Sequence, residues 1–506
     1  MVIKNDEKLF ISTICKYDIR DLSVLLIMCS QAFDGDDSKL EIYGGIKNLF
    51  AKIISLYKFT SKGNRVNFYD ETECNNICDR MMQYLFKKYC SDHDELYCLV
   101  NQNKISQKQF NYEISAPKTY PRTFIETLIF KLKPFEAFLN KRYGLSLVQL
   151  QDSCIKILRL QLHSYKLLEV FGNKPTNITD YLPSDFLDDL ISINEKNNDL
   201  SMINAFSKKV CFPIIKVKNE YHLLSGEVFI DNFYRCLHRL YLKKASKDEK
   251  DIFSNLKGKV FNDNCETLFR NCDFENIYSN FLYSKGEIDL LIDEKDVLIV
   301  VECKSRNYTD KISGLSDSFL KANESNLDFA SGQVHRFLDC LKSQRSIDLE
   351  KDDKKIRINI DKYSYIIPLV INIDNLAEIN VDFSQRDCET IFISFDDLMI
   401  LFDIVQKRKW LIVDLFNQLL IADKTNMIAD DIIDIFAFYC CFKDISLLFS
   451  KETNTIIYKL GNDCFQNYFF YKEEKNPISQ FKSNIACYQP IENETYKEII
   501  SKYHRT

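Results

Sequence analysis

Glycine and proline are both scarce in this chain, whose 506 residues include 12 glycines and 9 prolines. So few turn-forming and helix-breaking residues predict a largely helical chain with long elements. Apolar runs of the roughly 18 residues that span a membrane are missing as well. Even the window 432–449 is interrupted by Asp434, Lys443 and Asp444. The first eight residues carry charges where a secretory signal needs an apolar segment, so we expect a cytoplasmic protein with no membrane partner.

The chain also lacks an excess of positive charge. It has 67 Lys and Arg against 73 Asp and Glu, a formal net charge of -6. This excludes a basic protein that coats nucleic acid through its overall field, but not an enzyme with a local basic groove. The Walker A, Rossmann GxGxxG, HExxH and GxSxG motifs are absent, so the sequence gives no sign of ATP-driven translocation, zinc proteolysis or serine hydrolysis.

Cysteine, in contrast, is plentiful, with 18 residues scattered along the chain. Many occupy apolar-periodic positions, which is typical of reduced thiols that act as small core residues in a reducing cytoplasm. One group resembles a metal site and consists of Cys74, Cys78, Cys90, His93 and Cys98. Because it lacks a CxxC pair, we favour chance clustering over structural zinc.

Changes in periodicity divide the chain into four regions. Residues 1–205 predict a helical N-terminal domain, because apolar residues recur at three- and four-residue spacing. Residues 206–250 predict a connector made of a small hairpin and a helix with a basic face. Residues 251–405 mix strands and helices, and residues 406–506 predict a mainly helical, aromatic-rich extension.

Within 251–405 the predicted order is helix, three strands, helix, two strands and helix. The three successive strands are Ile277–Tyr283, Glu287–Ile292 and Val297–Lys304, and the later two are Tyr363–Ile373 and Thr390–Phe395. A polar loop is expected between residues 305 and 326, before an amphipathic helix at 327–341. This mixture predicts an α/β (α+β) domain in which helices pack on the faces of a sheet.

The chemically informative residues lie at the end of the most apolar strand. Glu302 and Lys304 end the strand that contains Val297–Val301 and share one face, since strand side chains alternate. If the preceding strand pairs with it as a hairpin, Asp289 meets Glu302 at the same sheet edge, with Glu287 on the face of Asp289. Such carboxylates, helped by the main-chain carbonyl of Cys303, would hold Mg²⁺ or Mn²⁺. Lys304 would stabilise charge in the transition state. A buried structural salt bridge between Lys304 and one carboxylate is the alternative.

The segment GEIDLLI…VLIVVECKSR resembles the GEID…VEVK core of Holliday-junction resolvases and related nucleases of the PD-(D/E)XK, or restriction-endonuclease-like, superfamily. The resemblance covers about residues 255–400. It implies a mixed sheet flanked by helices, with Asp289, Glu302 and Lys304 at the three signature positions. It further implies a metal-dependent nuclease acting on DNA rather than RNA, a homodimer that cuts both strands, and a setting such as restriction or anti-phage defence in bacteria.

Two further site positions follow from the resemblance. Relatives place an acid on the helix before the strands, but Asn262 stands at that position here, and Glu266, one turn later, is the predicted substitute. Gln333, in the helix after the third strand, is predicted to line the site near the lysine. The predicted nucleic-acid contacts are Arg235, Arg239, Lys243, Arg306 and Arg336, for which a plain solvated surface is the alternative.

The missing acid and the acidic net charge leave a second functional hypothesis open. The chain could be a scaffold with a catalytically degenerate nuclease fold that binds nucleic acid or protein. In either case the helical N-terminal half is a candidate for contacting a protein partner.

Overall fold

The computed structural model describes residues 2–31, 37–58, 63–104, 121–167, 176–206, 211–272, 274–305, 318–373, 390–408, 412–421, 427–429, 432–442 and 455–457. The chain forms two compact units. The first is built chiefly from Met1–Thr119 and Leu132–Asp251, and the second from Tyr120–Lys131, Ile252–Thr309 and Ser318–Thr506. None of the helices in the described ranges is long and apolar enough to cross a membrane.

The part of the chain before residue 246 is mainly helical, with one small sheet. The helices are α1 (Val2–Lys16), α2 (Ile19–Gln31), α3 (Asp37–Leu56), α4 (Glu71–Asn101), α5 (Pro121–Leu132), α6 (Glu136–Tyr143), α7 (Leu147–Leu167), α8 (Ser184–Ile191) and α9 (Gly226–Lys244). The strands are β1 (Thr176–Asn177), β2 (Ile214–Val217) and β3 (Glu220–Leu223), in the antiparallel order β1-β3-β2.

Local sequence explains how these elements begin and pack. Asp70 caps α4, because its side chain accepts a hydrogen bond from the Glu73 N–H at 3.0 Å, and Ser225 caps α9 in the same way. The predicted apolar stripe of α9 is buried, with Phe229, Phe233 and Leu237 all fully inaccessible to solvent. The β2–β3 hairpin occupies the place that the sequence predicts for it.

The second unit contains most of α5, and its remaining elements follow in chain order. They are α10 (Lys247–Arg270), β4 (Ile277–Tyr283), β5 (Gly286–Glu294), β6 (Val297–Lys304), α11 (Ser318–Gln344), β7 (Ser346–Lys351), β8 (Lys354–Asn359), β9 (Tyr365–Asn372), β10 (Ile391–Ser394), α12 (Phe395–Arg408), α13 (Ile412–Ile421), β11 (Met427–Ala429), α14 (Ile432–Phe442) and β12 (Thr455–Ile457).

A seven-stranded mixed sheet organises this unit, in the order β10-β9-β6-β5-β4-β7-β8. The strands β4, β5 and β6 form an antiparallel meander, and β6 then pairs in parallel with β9. Such a parallel pair needs a crossover, which α11 provides by packing against β6 and β9. Residues Val297–Val301 are all buried, as expected for a central strand covered on both faces. The architecture is therefore the mixed α/β arrangement that the sequence predicts.

Two parts of the predicted element order were wrong. The β7–β8 hairpin was missed, although Ile347 and Leu349 alternate with polar residues and Asp352 has the positive φ of a tight turn. Helix α11 begins at Ser318, so the predicted loop 305–326 is helical in its last part, while residues 306–317 lie outside the described residues. Polar residues dominate both segments. The apolar periodicity of each segment is therefore too short to predict its secondary structure.

The sequence also predicted features in the C-terminal region. The predicted strand near residues 455–458 coincides with β12, which pairs in parallel with β11. Lys407 and Arg408 are the last residues of α12. Lys409, Trp410 and the predicted strand at 468–471 lie outside the described residues.

Candidate active site

The candidate site forms where the β5–β6 hairpin reaches the edge of the buried part of the sheet. In the hairpin register Leu290 pairs with Val301, so Asp289 and Glu302 occupy the next positions on the two strands. One Asp289 carboxylate oxygen, Oδ2, accepts a hydrogen bond from the main-chain N–H of Cys303 at 2.8 Å. The main chain of β6 thus holds the Asp289 carboxylate next to Glu302.

Asp289 is also approached by an amide from α10. The Asn262 side chain donates from Nδ2 to Asp289 Oδ1 at 3.4 Å and to Asn280 Oδ1 at 2.8 Å. Asn280 has φ of 54° and lies where the β4–β5 register skips one pair, between Ser279 and Phe281. Asparagine tolerates this left-handed conformation better than most residues. The irregularity therefore brings Asn280, Asn262 and Asp289 together.

Glu302 is an almost fully buried carboxylate, with 4% of the residue exposed. Its Oε1 accepts a hydrogen bond from Lys304 Nζ at 2.5 Å. Burial and the negative charge of Asp289 raise the pKa of Glu302 to about 8, while the Lys304 ammonium acts in the opposite direction. Because Asp289 acts on this pKa through both its charge and a hydrogen bond, the two carboxylates are close enough to repel each other.

Lys304 is positioned from three sides. Besides its contact with Glu302, its ammonium donates to Gln333 Oε1 at 2.8 Å and lies 5.5 Å from the centre of the Phe329 ring. Gln333 and Phe329 both belong to α11, so the crossover helix fixes the direction of the lysine. An ammonium held by a carboxylate, an amide oxygen and an aromatic face is fixed in a position from which it can stabilise a neighbouring anion.

The donor set fits a hard divalent cation. The oxygens of Asp289 and Glu302 are the type that Mg²⁺ and Mn²⁺ prefer, and a cation between the two carboxylates would relieve the repulsion that raises the pKa of Glu302. Within the described ranges, no group of three or more His, Cys, Asp or Glu side chains is arranged to hold a metal ion. Two carboxylates with water or substrate oxygens in the remaining positions is a common arrangement for Mg²⁺.

The other predicted metal ligands have different surroundings. Glu287 is exposed on β5. Glu266 forms a salt bridge with Arg270 at 2.7 Å. Although burial acts to raise it, hydrogen bonds from Ser279 and Arg270 hold the pKa of Glu266 below its usual value. The structure therefore places Asn262 beside Asp289, whereas the Glu266 carboxylate is engaged with its own helix and with β4. No observation tests the predicted role of the Cys303 carbonyl.

The predicted nucleic-acid contacts are dispersed. Arg235 and Arg239 are half-buried on α9 and Lys243 is exposed near its end, all within the first unit. Arg336 is exposed on α11, where its Nε donates to the Gly332 carbonyl at 3.3 Å. Arg306 lies outside the described residues. Of the four described residues in this group, Arg336 alone lies on an element that contributes to the site.

Two residues near the site were not predicted from the sequence. Asn262 was noted only as a departure from the expected acid, and Phe329 was not singled out. The apolar spacing of α11 gives a signal for Phe329, which falls outside the buried stripe of Leu327, Ala330 and Val334 and is 63% exposed. A large exposed aromatic residue next to a lysine at a strand end is a sequence feature that could have been used.

Comparison with known proteins gives one short match. A segment of 55 residues, 11% of this chain, is 38% identical to a UPF0102 protein of Petrotoga mobilis and covers 49% of that protein. The chain thus matches about half the length of this relative. No family model matches the chain, and no solved structure matches it.

Proposed function

We propose that the second unit is a Mg²⁺- or Mn²⁺-dependent phosphodiesterase that hydrolyses nucleic acid, with DNA preferred over RNA. The observation that carries this proposal is the convergence of Asp289, Glu302 and Lys304 at the end of a buried strand. There the negative charge of Asp289 helps to raise the pKa of Glu302, and a bound cation would offset this repulsion. UPF0102 is a PD-(D/E)XK-like nuclease family, so the 55-residue match supports the same reaction class over a small part of the chain.

Each side chain then has a definite task. A divalent cation bound by Asp289 and Glu302 would polarise a phosphodiester oxygen and lower the pKa of a water molecule. Lys304 would place its ammonium against the charge that develops on the phosphorus oxygens. Gln333 would hold Lys304 in that direction, and the Cys303 N–H would keep the Asp289 carboxylate in place.

The DNA preference and the assembly rest on the resemblance of the hairpin to resolvase-like nucleases. Restriction-like nucleases often pair to cut both strands of a duplex, so we include a homodimer in the proposal. The first unit is proposed to bind a protein partner. Both extensions can be tested separately from the cleavage reaction.

Cleavage of plasmid DNA in Mg²⁺ tests the proposal directly. We expect D289A and K304A to lose at least about a hundredfold in rate, since each removes a group that acts on the reacting phosphate. E294Q and K295Q are matched controls, because Glu294 and Lys295 lie at the opposite end of the same hairpin. Equal cleavage by D289A and the controls would contradict the site assignment.

A nuclease-fold scaffold without catalysis is the second candidate, and Asn262 favours it because an amide stands where the relatives have an acid. This hypothesis predicts that the protein binds nucleic acid equally well with and without the E302A substitution and takes up no cation. Calorimetric titration with Mn²⁺ separates the two. Saturable Mn²⁺ binding that D289A abolishes favours the enzyme, and its absence favours the scaffold.

A further inference from the structure

The first unit contains a cavity of about 710 Å³ that the proposed nuclease reaction does not use. Its wall combines two kinds of side chain. Isoleucines such as Ile54, Ile191 and Ile215 form an apolar part together with the Tyr57 ring, and four lysines and one aspartate form a charged part. Its volume lies within the range of about 300–1,000 Å³ that is usual for small-molecule sites.

The charged part of the wall is strongly positive. Among the described lining residues the one carboxylate, Asp18, is paired with Arg20 at 2.6 Å and is therefore already neutralised. Among the lysines, Lys216 is paired with Asp188 at 2.8 Å. The remaining cations are Lys58, Lys196 and Lys218, and the part of the lining that the structure describes offers no further carboxylate to balance them.

Main-chain hydrogen bonds join the two segments that carry Lys58 and Lys196. The Lys58 N–H donates to the Asn197 carbonyl at 2.7 Å, and the Asn197 N–H donates to the Leu56 carbonyl at 2.6 Å. This short parallel pairing joins the end of α3 to the segment that carries Lys196. Lys218 lies in the β2–β3 turn with φ of 56°, a conformation that non-glycine residues rarely adopt.

Lys196 gives independent support for an anionic ligand. Its ammonium donates to the carbonyl of the fully buried Ser55 at 2.5 Å, although much of the residue is exposed. A main-chain carbonyl satisfies one of three ammonium donors and supplies no negative charge. Burial lowers the pKa of Lys196, whereas the neighbouring Cys211 thiol acts in the opposite direction. An anion in the cavity would give the Lys196 ammonium a charged partner.

We propose that this cavity binds a phosphorylated small molecule of about nucleotide size, with the phosphate held by Lys58, Lys196 and Lys218 and the remaining part packed against the isoleucines and Tyr57. Lysine is a frequent phosphate ligand, acting as a point charge. The proposal is independent of the nuclease reaction, since every lining residue belongs to the first unit.

Calorimetric titration of the full chain with ATP, in EDTA and at low salt, tests this proposal. EDTA removes any contribution from a divalent cation at the hairpin site. We expect one ATP per chain, and each of K58M, K196M and K218M to weaken the affinity about tenfold, as expected for loss of a charge-assisted hydrogen bond. K141M is the control, because Lys141 is an exposed lysine of the same unit outside the cavity. I191W, which fills the cavity and keeps the lysines, should also prevent binding.

Inorganic phosphate, citrate and a single-stranded oligonucleotide complete the design. Weak binding of phosphate that the same lysine variants abolish supports the proposal. Citrate binding as tight as ATP, or oligonucleotide binding that depends on these lysines without any ATP binding, overturns it. ATP binding that survives both K58M and K218M overturns it as well. The absence of ATP binding at every concentration that stays in solution also overturns it. These two variants remain informative if K196M fails to fold.

Discussion

Replacing Asn262 by aspartate would add a third carboxylate to Asp289 and Glu302. The stability of the second unit should then depend on a divalent cation. The Asn262 Nδ2–Asp289 Oδ1 distance is 3.4 Å. Two unit charges about 4 Å apart repel by about 4 kcal/mol at an effective dielectric constant of about 20. Both side chains are partly exposed, so water screens the pair and we expect about half of this repulsion, roughly 2 kcal/mol.

The assay is thermal unfolding of the second unit with EDTA and with Mg²⁺. For a unit of this size, 2 kcal/mol corresponds to a decrease in Tm of roughly 4–8 °C. We expect N262D to show this decrease in EDTA and to recover most of it in Mg²⁺, since a cation bound among the three carboxylates replaces repulsion by attraction.

Two variants isolate the effect of the charge. N262A removes the hydrogen bonds to Asn280 and Asp289 without adding charge, and should lose about 1 kcal/mol regardless of Mg²⁺. N264D adds the same charge on the same helix and breaks the Asn264 bond to the Val260 carbonyl. If N262D is destabilised equally in EDTA and in Mg²⁺, the carboxylates do not hold a cation and the reasoning is refuted.

Three other predictions follow from the second unit. Q333A should lower kcat about tenfold with little change in KM, because the active-site lysine loses its amide partner, and steady-state cleavage kinetics check this. Because the pKa of Glu302 is raised to about 8, the metal-free folded state binds more protons than the unfolded state between pH 4.5 and 8. Its stability should therefore fall as the pH rises through this window, and a flat pH profile of Tm in EDTA would contradict this. K131M should cost about 3 kcal/mol in denaturant unfolding, since the buried Asp396 loses its 2.9 Å partner. K355M, which breaks an exposed pair, should leave the stability almost unchanged.

Local sequence was sufficient to predict the central hairpin and the positions of Asp289, Glu302 and Lys304 on it. Strand alternation places Glu302 and Lys304 on one face, and the short turn at Lys295 and Asp296 forces β5 and β6 to pair, which brings Asp289 to Glu302. This arrangement depends only on the geometry of neighbouring segments, so it can be predicted from a single sequence. The same holds for Gln333, whose helix follows β6 in the chain and packs against it.

The position of the helix residues at the site depended on tertiary structure. One helical turn separates Asn262 from Glu266, and spacing alone does not decide which of them reaches Asp289. The rotation of α10 against the sheet and the interrupted strand pairing at Asn280 determine which residue reaches Asp289. Both depend on packing between segments distant in the sequence.

The lysine-lined cavity shows the same division between sequence and structure. The sequence determined that the chain has no overall positive charge and that its N-terminal half is helical. It did not indicate that Lys58, Lys196 and Lys218 line one cavity, because they come from a helix end, a loop and a hairpin turn far apart in the chain. Local periodicity fixes which elements form and which face of each is apolar, whereas only long-range packing decides which charged ends meet.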